Sequence, residues 1–384
     1  MGESRINMRM RQSLVILLAG CAAACTLAGP LFQAGRGAAA PPDSNHTAET
    51  AASRIETSQS PVIGPDSFPP GVNPLTGLLA PQQEYLSQPP VIAKVSNAPP
   101  LVRPQAGIGA ADLVFEHYAE GGLTRFSAIF HGQRPERVGS IRSARLIDYE
   151  LMPMYQGILA FSGASAGVEE RLYTSEFPER LYKGVLMGWP YYWRDDDIPM
   201  PHNLFTNTAA LSRLAAEQGV AAPPALRGMA FQLEPPPNPT GPAQRADIRY
   251  AATRVQWRYD AETGRYRRSA DGLGHFDAVT LEQISAANVV VIYAEHTFTD
   301  IVESQWQGKL SFSIEIKLWF EGDAVLLRDG QQYAARWVRP TREDLIGLRT
   351  PDGSLLPLKP GNTWFQVVRL PEQQTPQEEW VVIE

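Results

Sequence analysis

Between Gly132 and Arg145 four arginines, Arg134, Arg137, Arg142 and Arg145, face a single acid, Glu136, in a chain whose net charge is −7. Arg142 and Arg145 stand three apart in Gly139-Ser140-Ile141-Arg142-Ser143-Ala144-Arg145. A helix starting near Ser143 would put both guanidiniums at its entrance beside free backbone N–H groups, an arrangement suited to a phosphate or a carboxylate. Arg103-Pro104-Gln105 and Glu120-Gly121-Gly122-Leu123-Thr124-Arg125 add two guanidiniums and a carboxylate, and His202-Asn203 adds an imidazole and an amide. The expected ligand-binding set is therefore Arg103, Glu120, Arg125, Arg142, Ser143, Arg145, His202 and Asn203. The competing expectation is that Glu116 and Glu120 consume these arginines in a structural network.

Gly163-Ala164-Ser165-Ala166-Gly167 matches G-x-S-x-G between an expected strand and an expected helix, as a nucleophile elbow requires. Asp195, Asp196, Asp197 and His202 follow in the order Ser, acid, His. Ser165 and His202 are thus the candidate catalytic residues, His202 also as a general acid/base backed by Arg142 and Arg145 in a hydrolase or phosphodiesterase. Against a hydrolase, no HGGG-type segment precedes the serine, and the chain lacks long βα alternation. The run Asp195–Asp197 with His202 offers hard donors for a divalent ion, but charge runs on proline-containing loops face water. No metal centre and no cofactor is expected, and no pair of carboxylates can be nominated for glycoside cleavage.

The elements that must position these residues divide into two halves. In the first, Val91–Val95, Asp112–Glu116, Thr124–His131 and Gly157–Ser162 read as strands. Ala144–Tyr155 has helical apolar spacing, Val168–Tyr173 opens a helix, and Asn207 caps one that runs to Gln218 and closes at Gly219. In the second half, Arg254–Tyr259 and Arg265–Ser269 form a hairpin. Asn288–Thr297, Lys309–Phe320, Ala324–Leu327, Gln332–Val338 and Trp364–Val368 follow at close spacing, with turns at Gly322-Asp323, Asp329-Gly330 and Asp352-Gly353. The fold class is α+β: a mixed α/β N-terminal domain (73–232), then a β-rich antiparallel C-terminal domain (245–384), a barrel or sandwich. The proline-dense stretch 233–244 separates them, and 36–72, without hydrophobic period, reads as a disordered tether.

Arg5, Arg9 and Arg11 precede an uncharged run from Gln12 to Gly35 that contains Leu18-Ala19-Gly20-Cys21. This reads as a leader (1–35) with a lipobox, cleaved before Cys21, which would carry the lipid. An uncleaved single-span anchor and a cleaved secretory peptide at Ala22-Ala23-Ala24 are the alternatives. In each case the basic flank stays inside and the body is exported. Cys21 and Cys25 are the only cysteines, so the body has no disulfide and its stability rests on apolar cores. The acidic balance excludes nucleic acid as a partner. The membrane, a cell-wall polymer or an envelope protein remain.

The chain resembles the YerB-like family of bacterial lipoproteins. The resemblance rests on Asn73-Pro74-Leu75-Thr76-Gly77, Arg103–Ile108, Ala111–Glu116, Glu120–Phe126, Gly139–Arg145 and Pro201-His202-Asn203-Leu204 in the first half. In the second it rests on Tyr266–Arg268, Gly274-His275-Phe276-Asp277, Asn288–Val291 and Pro360–Trp364. It implies a membrane-anchored, extracytoplasmic two-domain lipoprotein of the cell envelope, without implying a reaction. A histidine that members tend to carry near Phe161–Ser165 is absent here. Three functions follow as expectations: binding of an anionic ligand in an Arg-lined cleft, an envelope hydrolase or phosphodiesterase using His202, or a non-catalytic scaffold.

Overall fold

The computed structural model describes residues 60–220 and 222–384; the leader, Cys21 and the tether up to residue 59 lie outside the described residues. A mixed eleven-stranded sheet runs through both halves. Ten of its strands are β1 (Val91–Ser96), β2 (Leu113–Tyr118), β3 (Thr124–Phe130), β4 (Ile158–Phe161), β5 (Leu181–Lys183), β6 (Asn288–Ala294), β7 (Phe320–Arg328), β8 (Gln331–Arg339), β9 (Gly347–Arg349) and β10 (Thr363–Arg369). They lie in the order β9-β8-β7-β6-β10-β2-β3-β1-β4-β5, and the short strand Gly241–Pro242 also pairs with β8. The pairs β1/β4, β4/β5, β2/β10 and β6/β10 are parallel, and the other pairs of this order are antiparallel.

The seam between the halves is thus a strand pair, β2 with β10, in register from Leu113↔Thr363 to Glu116↔Gln366. The second half is β-rich as expected, but its strands do not close a barrel of their own. β6–β10 extend the sheet of the first half. Arg245–Tyr250, Thr253–Asp260, Arg265–Ala270, Leu273–Gly274 and Trp380–Ile383 build a separate antiparallel sheet. That sheet covers one face of the large one: Val114 and Trp364 share an apolar core with Val255, Trp257 and Tyr266, and the Trp257 and Trp364 rings stand 5.4 Å apart.

The other face is covered by α1 (Ile147–Tyr155) and α2 (Ala166–Tyr173), whose Leu151, Met154 and Val168 pack on Ile92, Phe115 and Ile129. Covered on both faces, β1 to β3 are buried at every position, and the polar residues they carry, Lys94, Glu116, His117, Arg125 and Ser127 among them, are buried with the rest. α3 (Thr208–Glu217) begins where the sequence places it: the Asn207 side chain accepts from Ala210 N at 2.8 Å. Among the described residues no helix is long and apolar enough to cross a membrane.

Three details differ from expectation. Residues 60–72 are not tether but body: Ile63 and Phe231 exchange backbone hydrogen bonds at 2.8 Å, and the Phe68 and Phe231 rings stand 6.5 Å apart. Two apolar side chains there outweigh a proline-rich composition. The stretch 233–244 is likewise held, since Arg328 donates to the carbonyls of Gln232 and Leu233 at 3.1 and 2.8 Å. Gly322-Asp323 is no turn but part of β7. Glycine is needed there because a Cβ would lie 2.5 Å from the Trp337 indole nitrogen.

Candidate anion site at the strand ends

β1 and β4 run parallel and separate after Ala93 and Ala160, and residues 140–144 enter the gap. Arg142 N donates to Lys94 O at 2.8 Å, Ser96 N to Ser140 O at 2.9 Å, Ser162 N to Arg142 O at 3.0 Å and Ala144 N to Gly163 O at 2.9 Å. The loop is therefore stitched to both strands at their carboxyl ends, the edge where sheets with parallel strands commonly present ligand groups. Arg145 N donates to Asp148 Oδ2 at 2.8 Å, so the start of α1 is fixed to the same loop.

The guanidiniums on this loop fare differently. Arg145, 8% exposed, donates through Nε to Glu120 Oε2 at 2.7 Å and through Nη2 to Glu120 Oε1, while Nη1 reaches Ala144 O at 2.7 Å and lies 3.7 Å from Glu303. Arg125 lies 3.5 Å from Glu120 and donates to Ser143 O at 2.9 Å. Burial alone would push the Glu120 carboxyl up, but Arg145 and Arg125 outweigh it and hold the group at about 2. Burial and the Arg145 charge pull the Arg125 pKa down, offset in part by Glu120.

Arg142 has no carboxylate within 4.0 Å among the described residues. Among the described residues its one side-chain hydrogen bond is Nη1 to Pro201 O at 3.4 Å, and its buried Nε has no partner. His202 stands beside it: burial, then the Arg142 charge, lower the imidazole pKa, so the ring is neutral near pH 7. His202 Nδ1 is also buried without a partner among the described residues.

The structure thus brings together Glu120, Arg125, Arg142, Ser143, Arg145 and, next to Arg142, His202. Two expected members stand elsewhere. Arg103 is spent on Asp271 (2.7 Å) and on Asn97 (3.2 and 2.9 Å). Asn203 is a clamp within its own loop, accepting from Arg194 Nη1 at 2.7 Å and donating to Asp195 O at 3.2 Å. Nor does one open cleft hold the set. A cavity of about 10 Å³ lies against Arg145, Glu120 and Glu303, and a depression of about 410 Å³ opens beside Glu120 and Arg369; Arg142 and His202 line neither.

The catalytic candidates do not form a triad. Ser165 does sit on a strand–turn–helix junction, as the cap of α2, but its Oγ is buried without any hydrogen-bond partner among the described residues. Asp195 is occupied by Arg137 at 2.5 Å. A serine that touches no base is not activated.

Sequence reasoning missed two buried polar clusters. On the α1 side, Lys94 Nζ lies 2.9 Å from Asp148 Oδ1, 2.6 Å from Ser127 Oγ and 2.9 Å from His117 Nε2. Lys94 and Asp148 are fully buried, and burial pulls Lys94 down to about 8 against the opposing pull of Asp148. The cluster supports the loop, since Asp148 holds Arg145 N and Lys94 O holds Arg142 N. The signal was a lone lysine, histidine and serine at inward positions of three apolar strands.

On the opposite face Glu116 accepts from Arg268 Nη2 (3.0 and 2.8 Å), Asn97 (3.1 Å), Thr124 (2.9 Å), Gln366 (3.0 Å) and Trp364 (3.3 Å). The sequence offers Glu116 to the loop arginines; instead it pairs with Arg268, because alternation along β2 points Glu116 and His117 to opposite faces. Arg268 is packed by the rings of Phe126, Trp257 and Trp364, 5.0–6.0 Å from its guanidinium carbon.

Two family models match this chain. The "Protein of unknown function (DUF3048) N-terminal domain" covers residues 75–221. The corresponding C-terminal domain covers residues 246–365. A Bacillus subtilis (strain 168) protein named "Putative lipoprotein YerB" is 29% identical over 299 residues, spanning 77% of this chain and 85% of that protein. The crystal structure of YerB protein from Bacillus subtilis superposes with a TM-score of 0.65 at 28% identity, covering 81% of this chain and 99% of that one. The motifs, the two matched regions and the shared fold agree: the chain belongs to the YerB-like family of bacterial lipoproteins.

Proposed function

We propose that this envelope lipoprotein binds an anionic group, displayed by a wall polymer, a peptide or a partner protein, through Arg142 and His202 at the carboxyl ends of β1 and β4. Arg125, Arg145, Glu120 and Ser143 hold the loop in shape. Lipidation of Cys21 tethers the body to the outer side of the membrane, within reach of such ligands. The observation that carries this reading is the Arg142 guanidinium, a partly buried cation with no carboxylate partner among the described residues, beside a neutral His202. Buried donors without partners are rare in folded proteins, and an incoming oxyanion would satisfy Arg142 Nε and accept from a His202 ring N–H together.

The test is titration of the full-length, detergent-solubilised chain with anionic wall fragments and with inorganic phosphate. Arg142→Ala should weaken binding by at least about tenfold, or 1.4 kcal/mol, and His202→Ala by less. Affinity unchanged in Arg142→Ala overturns the reading. Mass spectrometry of the native protein checks the anchor: an acyl group on Cys21 is expected, and an unmodified chain with its leader intact refutes it.

A further inference from the structure

A cavity of about 300 Å³ lies where α1 and α2 meet the ends of β7 and β8, apart from the loop that carries Arg142. Its walls include Tyr149 of α1, Arg171 of α2, Trp319 and Phe320 at the start of β7, Arg339 at the end of β8, and Arg342 beyond it. Three guanidiniums thus line one small space, together with the carboxylate of Glu150.

Arg171 and Arg342 lie against the Tyr149 ring, 4.8 and 4.7 Å from its centroid, so tyrosine fixes both forks at the rim. Arg339, 1% exposed, binds Glu150 at 2.7 Å and Leu318 O at 2.8 Å, yet its Nε is buried without a partner. Arg342 pairs through Nη1 with the exposed Glu176, while its Nη2 is also buried without a partner. Arg339 Nε and Arg342 Nη2 thus each lack an acceptor among the described residues.

The wall also has an apolar, strained part. Phe320 is 74% exposed with φ +65°, in the left-handed region that bulky residues avoid, and the adjacent Trp319 is 39% exposed. Two neighbouring aromatic rings held in water, one on a strained backbone, is the pattern of a residue pair kept for contact with something else.

We propose that this cavity binds a flat-faced ring bearing one carboxylate. Trp319 and Phe320 cover the ring, and Arg342 receives the carboxylate. The volume is at the lower end for small-molecule sites and admits one ring. An aromatic acid and a carboxylated sugar share this chemistry, since both present an apolar face and an anionic edge.

Calorimetric titration of the full-length chain with benzoate and with N-acetylmuramic acid tests the proposal, with benzamide and N-acetylglucosamine as their neutral counterparts. At least one acid should bind saturably, and its neutral counterpart at least tenfold more weakly. The tighter acid identifies the source of the ligand. Arg342→Gln and Trp319→Ala, both at accessible positions, should each weaken that acid at least tenfold with an unchanged circular dichroism spectrum. Arg142→Gln should leave it unaffected. The proposal is overturned by no saturable binding of either acid, by equal binding of the neutral ring, by insensitivity to both substitutions, or by loss on Arg142→Gln alone.

Discussion

If Arg142 is kept for a ligand, its removal should stabilise the protein. In Arg142→Met the aliphatic stem and its packing remain, while the charge goes. Three quantities set the sign. The orphaned Nε costs about 1–3 kcal/mol of unrecovered desolvation, less for a group that is only partly buried. The like charge on Arg145 adds to that cost, and the Glu120 carboxylate offsets part of it. Against these stands one hydrogen bond of 3.4 Å to Pro201 O, worth at most about 0.5–1 kcal/mol. The balance is a gain of roughly 0.5–1 kcal/mol, with ligand binding lost, the trade expected of a functional residue. Arg145→Ala gives the contrast: it takes two donors from Glu120 and should cost about 2–3 kcal/mol. Urea unfolding followed by far-UV circular dichroism measures both as midpoint shifts at constant slope. A loss of more than about 1 kcal/mol in Arg142→Met would make Arg142 a structural residue and refute the reasoning behind the anion site.

Arg268→Ala leaves the Glu116 carboxylate buried without its counter-charge and should cost about 3–5 kcal/mol, whereas Arg268→Met with Glu116→Leu recovers much of that loss; a cost below about 1 kcal/mol would contradict the node. Glu120 titrates from 4.5 when unfolded to about 2 when folded, so it contributes stability above pH 4.5 that is lost as pH falls toward 2. The difference is at most about 3 kcal/mol, and Glu120→Gln should flatten the stability–pH curve in that window; an unchanged curve counts against the pairing. Gly107→Ala should cost more than about 2 kcal/mol in urea unfolding, because φ is +75° and the added Cβ would lie 2.3 Å from Arg137 O. Near wild-type stability would show that the backbone yields there.

Much of the local structure is legible in the chain, and the reasons are local. β1 to β4 and the strands near 253–270, 331–339 and 363–369 fall within one or two residues of their expected spans, since β-branched runs bounded by turn residues specify them. Asn207 capping α3 is a short-range hydrogen bond, so sequence reveals it. The parallel pairing of β2 with β10 is not readable this way: it joins Leu113 to Thr363 with no turn between them. For the same reason Arg268 and Gln366 could not be assigned to Glu116 from spacing. At the candidate site, the loop arginines and Glu120 were legible because they are close in sequence. Arg103 and Asn203 were misplaced, because residue type says nothing of which sheet face a loop turns toward. Lys94, His117, Ser127 and Asp148 escaped notice because each looks like an isolated polar residue until the strands are laid side by side.

The second half supplies neither Arg142 nor His202, yet the loop that carries them depends on it. Glu303 of the hairpin His296–Trp306/Lys309–Ile316 lies 3.7 Å from Arg145, and Ser313 of its other strand donates to Glu303. On the opposite face Arg268, Trp364 and Gln366 complete the shell of Glu116, which also accepts from Asn97, the residue following β1. Removing residues 245–384 would strip β10 from the edge of β2, leave a buried carboxylate without its cation and unsettle the end of β1, where the loop is stitched. Loss of binding in such a truncation would therefore say nothing about where a ligand sits. Roles in the two halves have to be separated by single substitutions at accessible positions, and Arg142 and Arg342, on separate elements and with separate partners, are the pair that does so.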